Sequence, residues 1–159
     1  MSTRAEGLAE RLIQGALALT TYAGTLTDEQ WEAALPRDGR KVGVVVHHVA
    51  SVYPVEIELA LNVAQGKAVT GVTSADIDTM NANHARENDK VTKEETLALL
   101  QKNSAAAAAA ILALTDRDLD QSAPVSLYSD APLTCQFVLE DHAVRHSYHH
   151  LARIRAAQA

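Results

Sequence analysis

Apolar residues return at helical spacing, i, i+3, i+4 and i+7, in four long stretches of the chain. The first runs from Thr3 to Tyr22 through Leu8, Leu12, Ile13, Leu17 and Leu19 and closes at Gly24. Thr27-Asp28-Glu29-Gln30 then has the form of a capping box, opening a short turn around the only tryptophan, Trp31, which reads as a core anchor. A second helix is predicted from Gly39 to Ala64. Its interior Pro54 cannot donate to the carbonyl of residue 50, which predicts a kink there. Residues Gly66 to Val91 are long for a tight connection and contain a helical segment from Ser74 to Glu87, so a crossover is expected. Thr92-Lys93-Glu94-Glu95, a second capping box, opens the third helix, which continues through Leu97, Leu100, Ile111 and Leu114. Its run Ala105 to Ala110 suits a close helix contact, alanine being both small and the best helix former. After Pro124 and a loop to Asp130, Ala131-Pro132 would place proline in the first turn of a last helix reaching Ala156. Four long helices with one long crossover between the second and third predict an all-α four-helix bundle, as a single domain over residues 1–159.

Composition sharpens this picture. At 159 residues the chain can bury about two thirds of its unfolded surface. Hydrophobic residues make up 47% and aromatics only 4%, so the core must be built from Ala, Leu, Val and Ile. Cys135 stands alone, which excludes an internal disulfide and a cysteine zinc finger and points to a reducing, cytoplasmic setting. With neither base nor cation near it in sequence, it reads as a small core residue. Fourteen basic residues against twenty acidic give a net charge of -6 with no Lys/Arg cluster, so no nucleic-acid partner is expected. No apolar run of membrane-spanning length and no signal-peptide pattern occurs, so no membrane span is expected either.

Histidine is the unusual residue, seven in all, with His142, His146, His149 and His150 in the last helix. His142/His146 and His146/His150 are i,i+4 pairs, the spacing that stacks two imidazoles on one helix face within reach of one metal ion. On a wheel of 100° per residue, His146 and His150 fall at the edge of the apolar arc that runs from Leu139 through Ile154 and Leu151 to Phe137, whereas His149 falls off it. In the second helix His48 shares a face with Val44, Val45, Val52, Val55 and Leu59, while His47 lies on the polar side. Three inward histidines, His48, His146 and His150, leave a coordination position open, the arrangement of a catalytic metal that lowers the pKa of a bound water toward about 7. Neither the Glu-x-x-His of di-iron bundles nor the His-Glu-x-x-His of zincins is present. His84 has two readings, a polar substrate contact or an amphipathic surface turn. Glu56 faces inward but about 12 Å along the axis from His48, which suits a partner for a buried cation. Glu140 intrudes on the apolar arc, where it could orient a ligand imidazole or bridge two helices.

Val44-Val45-Val46-His47-His48-Val49-Ala50, Asn81 and the segment Asp141-His142-Ala143-Val144-Arg145-His146-Ser147-Tyr148-His149-His150, in this order, resemble the DinB/YfiT-like superfamily. The resemblance implies an up-down-down-up four-helix bundle, often a homodimer, holding one divalent metal, zinc or nickel, by His48, His146 and His150. Asn81, His84 and His142 become candidates for substrate contact. It implies a metal-dependent hydrolase, or a transferase acting with a low-molecular-weight thiol, or a binding module for a small ligand. Where relatives carry Gly-Gln after the final histidine pair, this chain reads Leu151-Ala152-Arg153.

Overall fold

The computed structural model describes residues 2–158. Helices α1 (Thr3–Thr25), α3 (Val42–Ala64), α5 (Lys93–Leu112) and a closing helix built from α7 (Cys135–Leu139), a π-helical turn (Glu140–Val144) and α8 (Arg145–Gln158) form the bundle. Short helices α2 (Asp28–Glu32) and α6 (Asp116–Asp120) and the crossover helix α4 (Ser74–Glu87) connect them. The helix α5 packs between α1 and α3, and the closing helix completes the ring.

Side-chain pairs fix the directions. Lys93 at the start of α5 donates to the carbonyl of Leu26 at the end of α1, so these two run antiparallel. Lys41, before α3, reaches Asp89, just before α5, at 3.0 Å, so α3 and α5 run parallel. Arg4 pairs with Gln136 and Arg11 with Glu140, setting α1 parallel to the closing helix. The topology is therefore up-down-down-up, and the long connection through α4 exists because α5 must begin at the end of the bundle where α3 began.

Local chemistry places the helix ends. Thr27 and Gln30 form the expected capping box, and Thr73/Asp76 and Thr115/Asp118 form two more. Thr92 caps α5 by accepting from the Glu95 amide and donating from its hydroxyl to the Glu95 carboxylate. Gly66, at φ 70°, ends α3 in a Schellman motif, Lys67 N–H donating to Asn62 and Gly66 N–H to Val63. Trp31 lies against the backbone at Gly43, where any Cβ would overlap the indole, and its Nε1 donates to the carbonyl of Val91. The carbonyl of Ala50, left without a donor by Pro54, accepts from Asn103 Nδ2 of α5 at 2.8 Å. That helix, Val42–Ala64, is long and apolar enough to cross a membrane by length and composition; here Val45, Val46, Val49 and Tyr53 are fully buried in the core. Ala107 and Ala108 of the alanine run are buried. On α1 Leu8, Leu12 and Leu19 are buried, whereas Leu17 is exposed.

Three expectations are corrected. The second helix starts at Val42 rather than Gly39, because residues 35–40 form a turn with Arg37 and Gly39 at positive φ. Ala131-Pro132 does not open the last helix: Ser122–Val125 (β1) and Ala131–Thr134 (β2) form an antiparallel hairpin in which Pro124 opposes Pro132. Cys135 N–H bonds to Gln121 at 2.9 Å, so by alternation the two prolines occupy a pair that needs no N–H. Val69 of the crossover bridges this hairpin at Val125. The π turn, finally, slips the helical phase, so that Phe137, counted on the apolar arc, is 41% exposed. The helix α4 buries none of its residues.

The turn before α3 is pinned by Asp38. Its carboxylate accepts from Arg40 at 2.6 and 2.8 Å and from Arg153 of α8 at 2.7 Å. The Arg40 hydrogen bond, helped by Arg153 and opposed by burial, holds Asp38 well below the ordinary carboxylate range.

Two stability outcomes are expected. Replacing Asn103 by Ala strands the Ala50 carbonyl and lowers unfolding free energy by about 1–3 kcal/mol in urea titrations. The substitution Asp38→Asn lowers stability at pH 7. Because a depressed carboxylate stabilises the fold above its unfolded pKa and stops doing so once protonated, the gap to wild type narrows as pH falls below about 4.

Candidate metal centre

Because α8 runs antiparallel to α3, successive turns of the two helices meet side chain to side chain. Tyr53 and Ser147, both fully buried, share a hydrogen bond of 2.6 Å. One turn further along α3, Glu56 meets His146; one turn back, His48 meets both His146 and His150. The imidazole nitrogens of His48, His146 and His150 lie within 4.8 Å of one another. His48 Nε2 and His146 Nε2 are 3.2 Å apart, and the rings of His146 and His150 stack with centroids at 4.8 Å.

The surroundings of the three rings differ. His48 and His150 are buried, and burial, reinforced by the neighbouring His146, pushes their pKa down to about 3 and about 2. Both are therefore neutral at pH 7 and carry a lone pair, the form in which histidine binds metal. His146 donates from Nδ1 to the buried carboxylate of Glu56, which assigns its lone pair to Nε2, facing His48. His150 Nδ1 is buried with no hydrogen-bond partner.

This donor set fits a divalent ion. Two imidazole nitrogens bound to one tetrahedral ion at 2.0–2.1 Å would stand about 3.3 Å apart, close to the spacing found here. The carboxylate on Nδ1 of His146 is the partner that orients a metal-binding histidine, so Glu56 takes the role that Glu140 was a candidate for. Glu140 instead bridges helices, accepting from Arg11 of α1 at 2.8 Å.

The trio opens on a cleft of about 820 Å³ between α3, α4 and α8. Val52, Val55 and Leu59 form one apolar wall, and Ile77 and Met80 of α4 the other. Asn81 and His142 line the cleft, as does exposed His149 at its rim. His84 does not. Its Nε2–H points to His47 Nδ1 at 2.9 Å and to Ser51 Oγ at 3.3 Å, since the Ser51 hydroxyl itself donates to the His48 carbonyl. That pair ties α4 to α3 outside the cleft, and half-burial lowers the pKa of both rings.

Inspection of the sequence missed a second polar group. Tyr128, in the single 3-10 turn of the hairpin, donates to Asp141, and its oxygen lies 3.1 Å from His142 Nε2. With the phenol O–H donated to Asp141, His142 Nε2–H is the donor to Tyr128, so Nδ1 is the basic nitrogen of a ring whose pKa burial lowers. Burial and Asp141 together raise the Tyr128 pKa, keeping it a phenol. Nothing at Tyr128 announces this role, because hairpin and π turn together bring it to His142. Arg40, also on the cleft wall, was missed for the same reason. Cys135 is buried, with its thiol pKa pushed up to about 11, as an inert core residue should be.

Comparisons with known proteins agree with this architecture. No curated protein sequence matches the chain. Among solved structures it is similar to YfiT from Bacillus subtilis, described as a probable metal-dependent hydrolase with an unusual four-helix bundle topology. The two share 20% identity over 99% of this chain and 88% of that one, with a TM-score of 0.78, a likeness of fold. A family model for the DinB superfamily matches residues 11–154, nearly the whole bundle from mid-α1 to the end of the histidine-bearing helix. The chain belongs to the DinB superfamily.

Proposed function

We propose that the chain is a metal-dependent hydrolase in which His48, His146 and His150 hold one divalent ion, zinc or nickel, in the cytoplasm. The observation that carries this reading is the convergence of three imidazoles, two of them buried and neutral, with the third oriented by a buried carboxylate. The description of the Bacillus subtilis relative supports it. A divalent ion on three histidines keeps a position for water and lowers the pKa of that water toward about 7.

The residues around it divide the remaining work. Glu56 fixes the ring and tautomer of His146. The apolar walls limit water in the cleft and position a small substrate against the histidines. His142, held by Tyr128 in the tautomer with Nδ1 free, takes up the proton released at attack, and Asp141 keeps Tyr128 oriented for that purpose.

Elemental analysis of untagged, dialysed protein should find about one metal equivalent per chain in wild type and none in a His48→Ala/His150→Ala double variant. No metal in either, even after zinc addition, would sink the proposal. Turnover of ester and amide panels that needs a thiol co-substrate would replace hydrolysis by thiol transfer. Glu56→Gln should weaken metal binding about 10–100-fold in competition with a chelator. His142→Gln, by contrast, should retain the metal and lower kcat about 100-fold, separating proton transfer from metal holding.

A further inference from the structure

At one end of the cleft two arginines share one carboxylate. Two guanidinium groups, Arg40 and Arg153, converge on the single carboxylate of Asp38. Two cations less one anion leaves one positive charge over, where a single arginine would have sufficed to pin the turn. Both arginines line the cleft. The other acids on its wall are engaged or peripheral: Glu56 holds His146, Asp141 pairs with Tyr128 and Arg145, and Glu58 and Asp78 are exposed at the rim. Arg40 Nη1 is buried without a hydrogen-bond partner, and Arg153, 35% exposed, has Nη2 on Asp38. Arg40 and Arg153 line the same cleft as His48 and His150, and Arg153 follows His150 by one turn of α8, which places the charge beside the histidine trio.

We propose that the cleft selects substrates bearing a carboxylate, bound by Arg40 and Arg153, with the molecule running past the three histidines and its apolar end lying beyond them along Val52, Val55 and Leu59. One surplus positive charge matches a monoanion, and planar guanidinium groups match the two oxygens of a carboxylate. The aliphatic wall suits an apolar acid and disfavours a heavily hydrated polyanion. The inference rests on the cleft being the reaction site proposed above.

The test titrates the purified, isotope-labelled chain with hexanoate and with its neutral analogue hexanamide, following backbone amide shifts. Hexanoate should saturate shifts around residues 38–40 and 153 and hexanamide should not. Arg153→Gln, which leaves the Asp38–Arg40 pair in place, should weaken hexanoate at least about tenfold, with Arg153→Lys intermediate. Protein stripped of metal by a chelator should bind hexanoate as tightly as untreated protein. Equal binding of acid and amide, unchanged affinity in Arg153→Gln, or displacement by an equal concentration of inorganic phosphate would overturn the proposal. Loss of binding on chelator treatment alone would also overturn it, by locating the carboxylate on the metal; metal content, measured separately, reports on the hydrolase reading whichever way the titration falls.

Discussion

Everything at the site depends on the register of α8 against α3, and that register is held by polar contacts rather than by the apolar surface around them. The buried residues of α8 are Ser147, His150, Leu151 and Ile154, so half of the residues it buries are polar. The hydrogen bond between Tyr53 and Ser147 resists a change of register, since a slide of one residue would bury two hydroxyls without partners, at about 1–3 kcal/mol each. The contact between Glu56 and His146, one turn away, fails in the same slide and would leave a carboxylate buried alone. Two polar pairs on adjacent turns therefore place the histidines relative to one another, and the spacing of the three imidazoles follows from that helix alignment.

Much of this was readable along the chain, and which parts were readable has a physical explanation. Helices, capping boxes and the inward histidines are local facts, each written within a few residues of where it acts. His48, His146 and His150 come together because periodicity puts each on an inward face, and a bundle has only one inside. The hairpin is different. Its prolines argue against strands until one knows that they occupy a pair needing no N–H, which depends on the partner strand. The π turn is invisible to a wheel of fixed pitch, and the exposure of Phe137 is the price of assuming one.

The pairings that give the cleft its chemistry lie further from sequence. Glu56 was recognisable as inward but not as the partner of His146, ninety residues away. Asp38 looks like a turn residue, Arg40 and Arg153 like solvated charges, and Tyr128 like a loop aromatic. Only the crossing of α3 and α8 and the folding back of the hairpin turn them into an arginine pair at one end of the cleft and a hydrogen-bonded Tyr-His-Asp group at the other. The histidines sit between.

The helix α4 forms a wall of this cleft while contributing no buried residue to the core. Its attachment through His47 and His84, together with the hairpin bridge at Val69, is separate from the interactions that hold the four long helices. Sequence change in α4 is thus nearly uncoupled from global stability. A lineage carrying this fold can alter what the cleft admits by drift in one exposed helix, leaving the histidine-bearing framework under a constraint of its own.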